Sequence, residues 1–384
     1  MNRFAPTLIA WGRRAGRRDL PWQGTRDPYR IWLAEIMLQQ TQVAAVIPYY
    51  ERFLARFPDV RRLARARLHD VLGLWSGLGY YARARNLHRA ARSIAREHGG
   101  HFPDTVEALA QLPGVGRSTA GAIAAFAFGR RAAILDGNVK RLLARCFGVA
   151  GYPGEAAVAA QLWSLAESLL PRRAIEAYTQ ALMDLGATLC TRARPQCDRC
   201  PLRMQCVARR EDRVHLLPTP RPRKALPLRR ETWLVLQRDD RVLLEPRAAE
   251  GLWGGLWVFP RSTSRTARGI RGEVQRALGC EIGAPRAQTA FEHGFTHFRL
   301  RIQPMVCEVR RAVGPLPRGA KWLRLAGLDH PARWPLPVPV RQILRRLESP
   351  GRIRPVPAAR GVPPAHRAGA RGAPRRRRAR AAPA

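Results

Sequence analysis

Four cysteines, Cys190, Cys197, Cys200 and Cys206, are spaced C-x6-C-x2-C-x5-C, and this spacing constrains the fold more than any other feature of the chain. Four sulfur ligands hold either a tetrahedral zinc ion or a cubane iron–sulfur cluster. Zinc ribbons and knuckles use two tight C-x2-C pairs. Here only Cys197 and Cys200 are tightly paired, and the outer sulfurs reach in from farther along the chain. That favours the larger object, one [4Fe–4S] cluster. Disulfides fit poorly, because nothing else points to an oxidising compartment. Cys146, Cys280 and Cys307 stand isolated and read as core residues.

The formal net charge of +40 calls for an anionic partner, a solvated tail, or both. Residues 351–384 contribute ten arginines and no acidic residue, which leaves +30 on the rest. A charge of that size predicts a polyanion, most simply nucleic acid. The sequence contains no run of 18 apolar residues and no basic amphipathic helix, so a membrane partner is not expected. The apolar stretch near the N-terminus is too short for a signal peptide, and an intracellular, cytoplasmic protein is expected.

Apolar residues recur at helical spacing over 29–41, 58–72, 82–98, 104–112, 117–128 and 155–170. A proline-rich, basic stretch over 217–224 reads as a stiff exposed linker. Beyond it the pattern changes. Residues 232–237 and 241–245 alternate as a β-hairpin around Arg238-Asp239-Asp240, with strand-like runs at 256–259 and 297–309 and helices at 270–278 and 340–347. The expected division is a helical domain over 1–213, a linker over 214–226, an α+β domain over 227–348, and a disordered Arg/Pro-rich tail over 349–384.

Between two helical patterns lies Leu112-Pro-Gly-Val-Gly-Arg117. Gly114 and Gly116 permit a tight turn with exposed amides just before a helix N-terminus. Such a turn can hold one DNA phosphate without sequence preference, with Leu112 and Val115 anchored inward and Arg117 adding charge. The string is the hallmark of helix-hairpin-helix elements. Followed by the four cysteines, it resembles the endonuclease III superfamily of base-excision glycosylases. Within that superfamily the chain is similar to the MutY-type family. The similarity rests on WLAEIMLQQTQV (32–43), GLGYYARARNL (77–87), ILDGNVKR (134–141), MDLGA (183–187) and GLWGGLWVFP (251–260).

That resemblance implies an all-α helix-hairpin-helix glycosylase domain with an iron–sulfur cluster loop, followed by an α+β Nudix-like domain. It also implies a monomer that removes adenine opposite 8-oxoguanine or guanine in double-stranded DNA. Glycosidic cleavage needs a protonated leaving base and a stabilised sugar cation. Glu35 sits among Ile31, Trp32 and Leu38, where burial would keep it protonated as a general acid. Asp136 precedes a helical run and reads as an N-cap whose amides keep it ionised. The resemblance gives Glu35 the protonation of adenine N7, Asp136 the stabilisation of the cation, and Asn138 a share in positioning the site. Two residues after Gly116, lyase-competent relatives carry a nucleophilic lysine. This chain has Ser118 there, so a monofunctional glycosylase is expected.

A flipped base leaves a gap in the stack. Gln39, Gln40 and Thr41 follow Glu35 closely enough to fill it, and the resemblance gives Gln40 and Tyr80 roles beside the orphan base. It places Leu20, Trp22 and Gln180 near the adenine pocket. A working Nudix hydrolase needs R-E-x-x-E-E to hold magnesium, and the corresponding stretch, 271–281, lacks that cluster. The domain therefore reads as a binding module that senses 8-oxoguanine through Phe295, Thr296 and His297. Arg192, Arg194, Arg199 and Arg203, threaded among the cysteines, are expected to face the DNA backbone. Three rival readings remain: an endonuclease III-type lyase, a non-enzymatic iron–sulfur regulator and a Nudix nucleotide hydrolase.

Overall fold

A computed structural model describes residues 3–222, 225–328 and 334–348, and the expected tail over 349–384 lies outside the described residues. The helical part comprises α1 (Phe4–Ala15), α2 (Pro28–Leu38), α3 (Val43–Arg56), α4 (Val60–Arg65), α5 (Leu68–Trp75), α6 (Ala82–Glu97), α7 (Val106–Ala110), α8 (Arg117–Phe128), α9 (Gly137–Phe147), α10 (Ala156–Ser168), α11 (Ile175–Thr188) and α12 (Val207–Arg210). Among the described residues the second part holds nine strands, β1 (Leu228–Arg238), β2 (Arg241–Pro246), β3 (Trp257–Val258), β4 (Arg261–Ser262), β5 (Cys280–Ile282), β6 (Arg286–Ala287), β7 (Phe291–Gly294), β8 (Arg299–Ala312) and β9 (Lys321–Arg324). It also holds α13 (Ala267–Leu278) and α14 (Val338–Glu348).

Two apolar cores organise the helices. One gathers α2, α3, α5 and α6, and the other gathers α1, α9, α10 and α11. Alanine-rich α8 lies between them: Ala120, Ile123 and Ala124 belong to the first core, Ala122 and Ala125 to the second. A helix that presents small side chains all round packs closely on both sides, and Gly121 is the extreme case. A Cβ there would overlap the Ala133 carbonyl oxygen. Because α8 follows the 112–117 turn, the join between the two cores also fixes that turn.

In the second part, β1 and β8 run parallel in register from Leu228↔Arg299 to Gln237↔Glu308, and β2 pairs antiparallel with β1 across the expected hairpin. The sheet and the first helical core share one continuous apolar cluster that includes Trp75, Trp253 and Leu336. Polar contacts fix the join. Buried Ser76 donates to Leu336 O (2.9 Å) and accepts from Arg341 (2.9 Å), and Arg85 donates to Gly254 O (3.0 Å).

Three expectations need correction. The helix expected over 58–72 is two helices, because Ala66 turns extended and its carbonyl is taken by the His88 ring at 2.9 Å. The helix expected over 104–112 shrinks to the five residues of α7, started by the Thr105 side-chain cap. The stretch 217–224 does not begin as an exposed linker. Leu217 is buried, its carbonyl accepts from Arg145 Nε (2.8 Å), and Thr219 Oγ1 accepts from Gly151 N (3.1 Å).

Gly121→Ala should destabilise the protein by about 1–3 kcal/mol, the usual cost of overpacking a filled core. Thermal unfolding should show a fall in Tm of several degrees, and an unchanged Tm would mean that α8 can shift without cost.

Candidate active site

Asp27 starts α2 by accepting from Tyr29 N, with Pro28 in the first helical turn. Seven of the eleven residues of α2 are buried. Glu35 therefore projects from an apolar helix, and no group among the described residues hydrogen-bonds its carboxyl. Burial first, and the charge of Asp136 second, raise its pKa from 4.5 to about 8. Glu35 is thus a protonated acid at neutral pH.

Asp136 is the N-cap of α9. Its Oδ1 accepts from Val139 N at 2.8 Å, and its Oδ2 lies 3.4 Å from Asn138 Nδ2. The amide hydrogen bonds were expected to dominate, but burial outweighs them and raises the Asp136 pKa above its ordinary value. The charge of Asp136 acts on Glu35, so the two carboxyls lie within electrostatic reach of each other. The fold thus brings one acid from each helical core to the same place.

Ser118 Oγ accepts from Leu135 N (2.9 Å), so this hydroxyl fixes the strand of chain leading to Asp136. The sequence has three lysines, and Lys140 is the only one before residue 214. Its amine is 3.3 Å from Pro153 O.

One residue missed in the sequence joins the site together. Buried Arg83, on α6, donates to Ile36 O (3.0 Å), Met37 O (2.7 Å) and Gln39 O (2.6 Å), the C-terminal carbonyls of α2. Its other nitrogen reaches Thr41 Oγ1 (3.0 Å), Leu78 O and Gly79 O (both 3.4 Å). Gln40 and Tyr80 adopt left-handed φ values of 58° and 47° in the two turns that it ties. Tyr80 is half exposed, with the Arg83 guanidinium 5.4 Å from its ring centre. Nothing in local periodicity marks such a residue, because its α2 partners lie more than forty positions away in sequence.

Gln39 Nε2 donates to Gly114 O (3.3 Å) and Thr119 Oγ1 (3.2 Å), joining the turn after α2 to the hairpin. Gly114 has φ +81°, and a Cβ there would meet Asn86 at 2.7 Å; Gly116 faces open space. Leu112 and Val115 are buried. Arg117 is held by Glu167 and by the Trp163 ring, 4.0 Å away. Leu20 is buried, Trp22 packs edge-on to Tyr50, and Gln180 donates to buried Asp184 (2.9 Å), which also holds Arg17. Phe295 N donates to Phe298 O (2.9 Å) and the two rings stack at 4.5 Å, leaving Thr296 and His297 at the tip.

Cys190, Cys197, Cys200 and Cys206 line one cavity, together with Cys146 and Arg145. Cys146 is a buried core residue, as expected, but it is not isolated, because it lines the same cavity as the four. The neighbouring Cys146 thiol is the first cause of a Cys206 pKa lowered to about 6. Buried Arg145 clamps the loop through Thr191 O (2.7 Å) and Arg192 O (3.2 Å). Arg199 and Arg203 make local bonds to Gln196 and Asp198.

Comparison with known proteins fits this geometry. The chain is 34% identical over 347 residues to the adenine DNA glycosylase of Buchnera aphidicola subsp. Acyrthosiphon pisum, covering 90% of this chain and 97% of the relative. The chain belongs to the adenine DNA glycosylase family. This glycosylase is also 36% identical to the adenine DNA glycosylase of Homo sapiens, over 83% of this chain and 70% of the human one. Residues 33–168 match the HhH-GPD superfamily of base excision DNA repair proteins, and residues 232–346 match the NUDIX domain. A solved thermostable thymine-DNA glycosylase superposes with a TM-score of 0.50 at 31% identity, over 54% of this chain and 95% of its own.

Because folding raises the Glu35 pKa, this carboxyl favours the folded state below pH 4.5, and the contribution is lost as pH rises toward 8. Glu35→Gln should remove that pH dependence. It should leave the variant more stable than the parent at pH 8.5, by on the order of 2–4 kcal/mol after allowance for partial exposure. Urea unfolding at pH 5 and 8.5 measures it, and equal stabilities at the two pH values in both proteins would contradict the burial of a protonated acid.

Proposed function

We propose that this glycosylase excises adenine mispaired with 8-oxoguanine or guanine from duplex DNA, leaving an abasic site. The observation that carries the proposal is the pairing of a protonated Glu35 with Asp136 at a site that, among the described residues, offers no free lysine amine. Glu35 gives its proton to N7 of the flipped adenine, so the C1′–N9 bond breaks with both electrons leaving on a neutral base. Asp136 faces the positive charge that develops on the sugar. Water then adds at C1′ and its proton passes to the carboxylate pair. General acid catalysis of this kind contributes about 10²–10⁴-fold.

Ser118 stands where a lyase needs an amine, and its hydroxyl is already engaged by Leu135. Strand cleavage by β-elimination is therefore not expected. Gln40 and Tyr80 stand in adjacent strained turns, exposed and held by Arg83. In this reading they fill the vacated stack and touch the orphan base. Thr296 and His297, at the tip of the 295–298 turn, read its 8-oxo group, with the threonine hydroxyl as the polar contact. Asn138, bonded to both Asp136 and Arg141, orients the site. The Gly114–Gly116 amides at the start of α8 take one backbone phosphate.

The four cysteines would hold the [4Fe–4S] cluster. The four cysteines line one cavity, and their C-x6-C-x2-C-x5-C spacing, with a single tight pair, suits a cubane better than zinc. The cluster would tie the 190–206 loop into one body, and Arg145 and Arg141 hold that loop to α9 through Thr191 O, Arg192 O and Cys190 O.

Single-turnover assays on duplexes with adenine opposite 8-oxoguanine, guanine or thymine test the reading, each developed with and without alkali. Adenine should be lost opposite 8-oxoguanine and guanine, with breaks appearing only after alkali, and Glu35→Gln should slow excision by at least about 10²-fold. Breaks without alkali, or a Glu35→Gln enzyme with undiminished rate, would refute it.

A further inference from the structure

A large cleft among the described residues lies away from Glu35. It opens between α13 and the outer face of the parallel β1/β8 pair, with a volume of about 1210 Å³. In Nudix hydrolases the corresponding helix carries the glutamates that hold magnesium. Here α13 has Glu273 as its only carboxylate, and Arg276 lies one turn farther along the same helix. The cleft is lined with arginines, among them Arg230, Arg265, Arg276 and Arg301.

Two of the three carboxylates in the cleft are already satisfied. Glu273 accepts from the hydroxyls of Ser262 and Thr263 and from Ser264 N (3.1 Å). Glu231 accepts from Trp233 Nε1 (2.8 Å) and faces Arg247 at 3.7 Å and Arg261 at 3.4 Å. The third, Glu245, has its pKa raised by burial. The guanidinium groups of Arg230, Arg265, Arg276 and Arg301 have no hydrogen-bond or ion-pair partner among the described residues. Arg230 and Arg301 are moreover cross-strand partners in the β1/β8 register. Like charges placed side by side on one sheet face repel each other unless an anion lies between them.

We propose that this cleft is a phosphate-binding site that works without a metal ion, its guanidinium groups neutralising the oxygens that magnesium would otherwise bridge. Guanidinium forks match phosphate oxygens in bidentate geometry and stay charged at every physiological pH. With its one α13 carboxylate already bonded to three donors, the cleft has no cluster of free carboxylate oxygens for a divalent cation. It therefore binds a phosphoryl group but does not hydrolyse it. The phosphate can belong to a free nucleotide that enters the concavity or to a DNA strand that runs past it. Neither case rests on the excision chemistry of Glu35.

The test uses the full-length protein in EDTA and a doubly substituted Arg276→Gln/Arg301→Gln variant, both on the cleft wall and outside the excision site. Calorimetry with inorganic pyrophosphate should show binding to the parent that weakens at least tenfold in the variant if a free nucleotide is the source. If DNA is the source, the slope of log Kobs against log[salt] for duplex binding should fall by about 2, near one unit for each DNA phosphate that the variant no longer neutralises. Pyrophosphate affinity and salt slope both unchanged in the variant would overturn the proposal. So would pyrophosphate binding that appears only when magnesium is added. In every supporting case excision at saturating enzyme stays at the parent rate, so failure here is separate from failure of the excision reading.

Discussion

The site depends on one buried cation. Arg83 is placed where α2 ends, and an ending helix leaves carbonyls without partners. The guanidinium fills that gap and reaches the Gly77–Tyr80 turn with its remaining donors. Burial lowers its pKa to about 10, which still leaves it charged at neutral pH. The consequence is mechanical. The C-terminal end of α2, the turn that carries Gln40 and the turn that carries Tyr80 cannot move independently, because all three are bonded to the same planar group.

A second constraint is the division of the helices into two cores. Glu35 belongs to one and Asp136 to the other, so neither core alone contains a site. α8 sets their separation with alanine and glycine, which have no flexible side chain to absorb an error. Reaction geometry therefore depends on close packing between two apolar cores, the most rigid material a protein has.

Much of this is legible in the sequence, and the reason differs from element to element. The ends of α8 can be read because glycines flank it on both sides. Glu35 stands out because a carboxylate on an apolar helix is a local contradiction. The four cysteines are legible through spacing alone. What escapes are relations between distant segments: the arginine that serves α2 from α6, the contact of Cys146 with Cys206, and the Leu217 anchor to α9. The break at Ala66 escapes for the same reason, since the His88 ring that takes its carbonyl belongs to another helix. Asp136 shows the limit of local chemistry, because a good N-cap predicts an easily ionised acid and burial reverses the direction.

The scarcity of lysine has a chemical consequence. Loss of a base exposes a sugar aldehyde, and amines condense with aldehydes to form imines that hold protein and DNA together. A guanidinium, cationic and delocalised, is a poor partner for that condensation. With 68 lysines and arginines of which three are lysine, the chain carries the charge needed to grip a polyanion while offering its own reactive product very few amines. The near-exclusive use of arginine thus separates electrostatic attraction for a polyanion from covalent capture by an aldehyde.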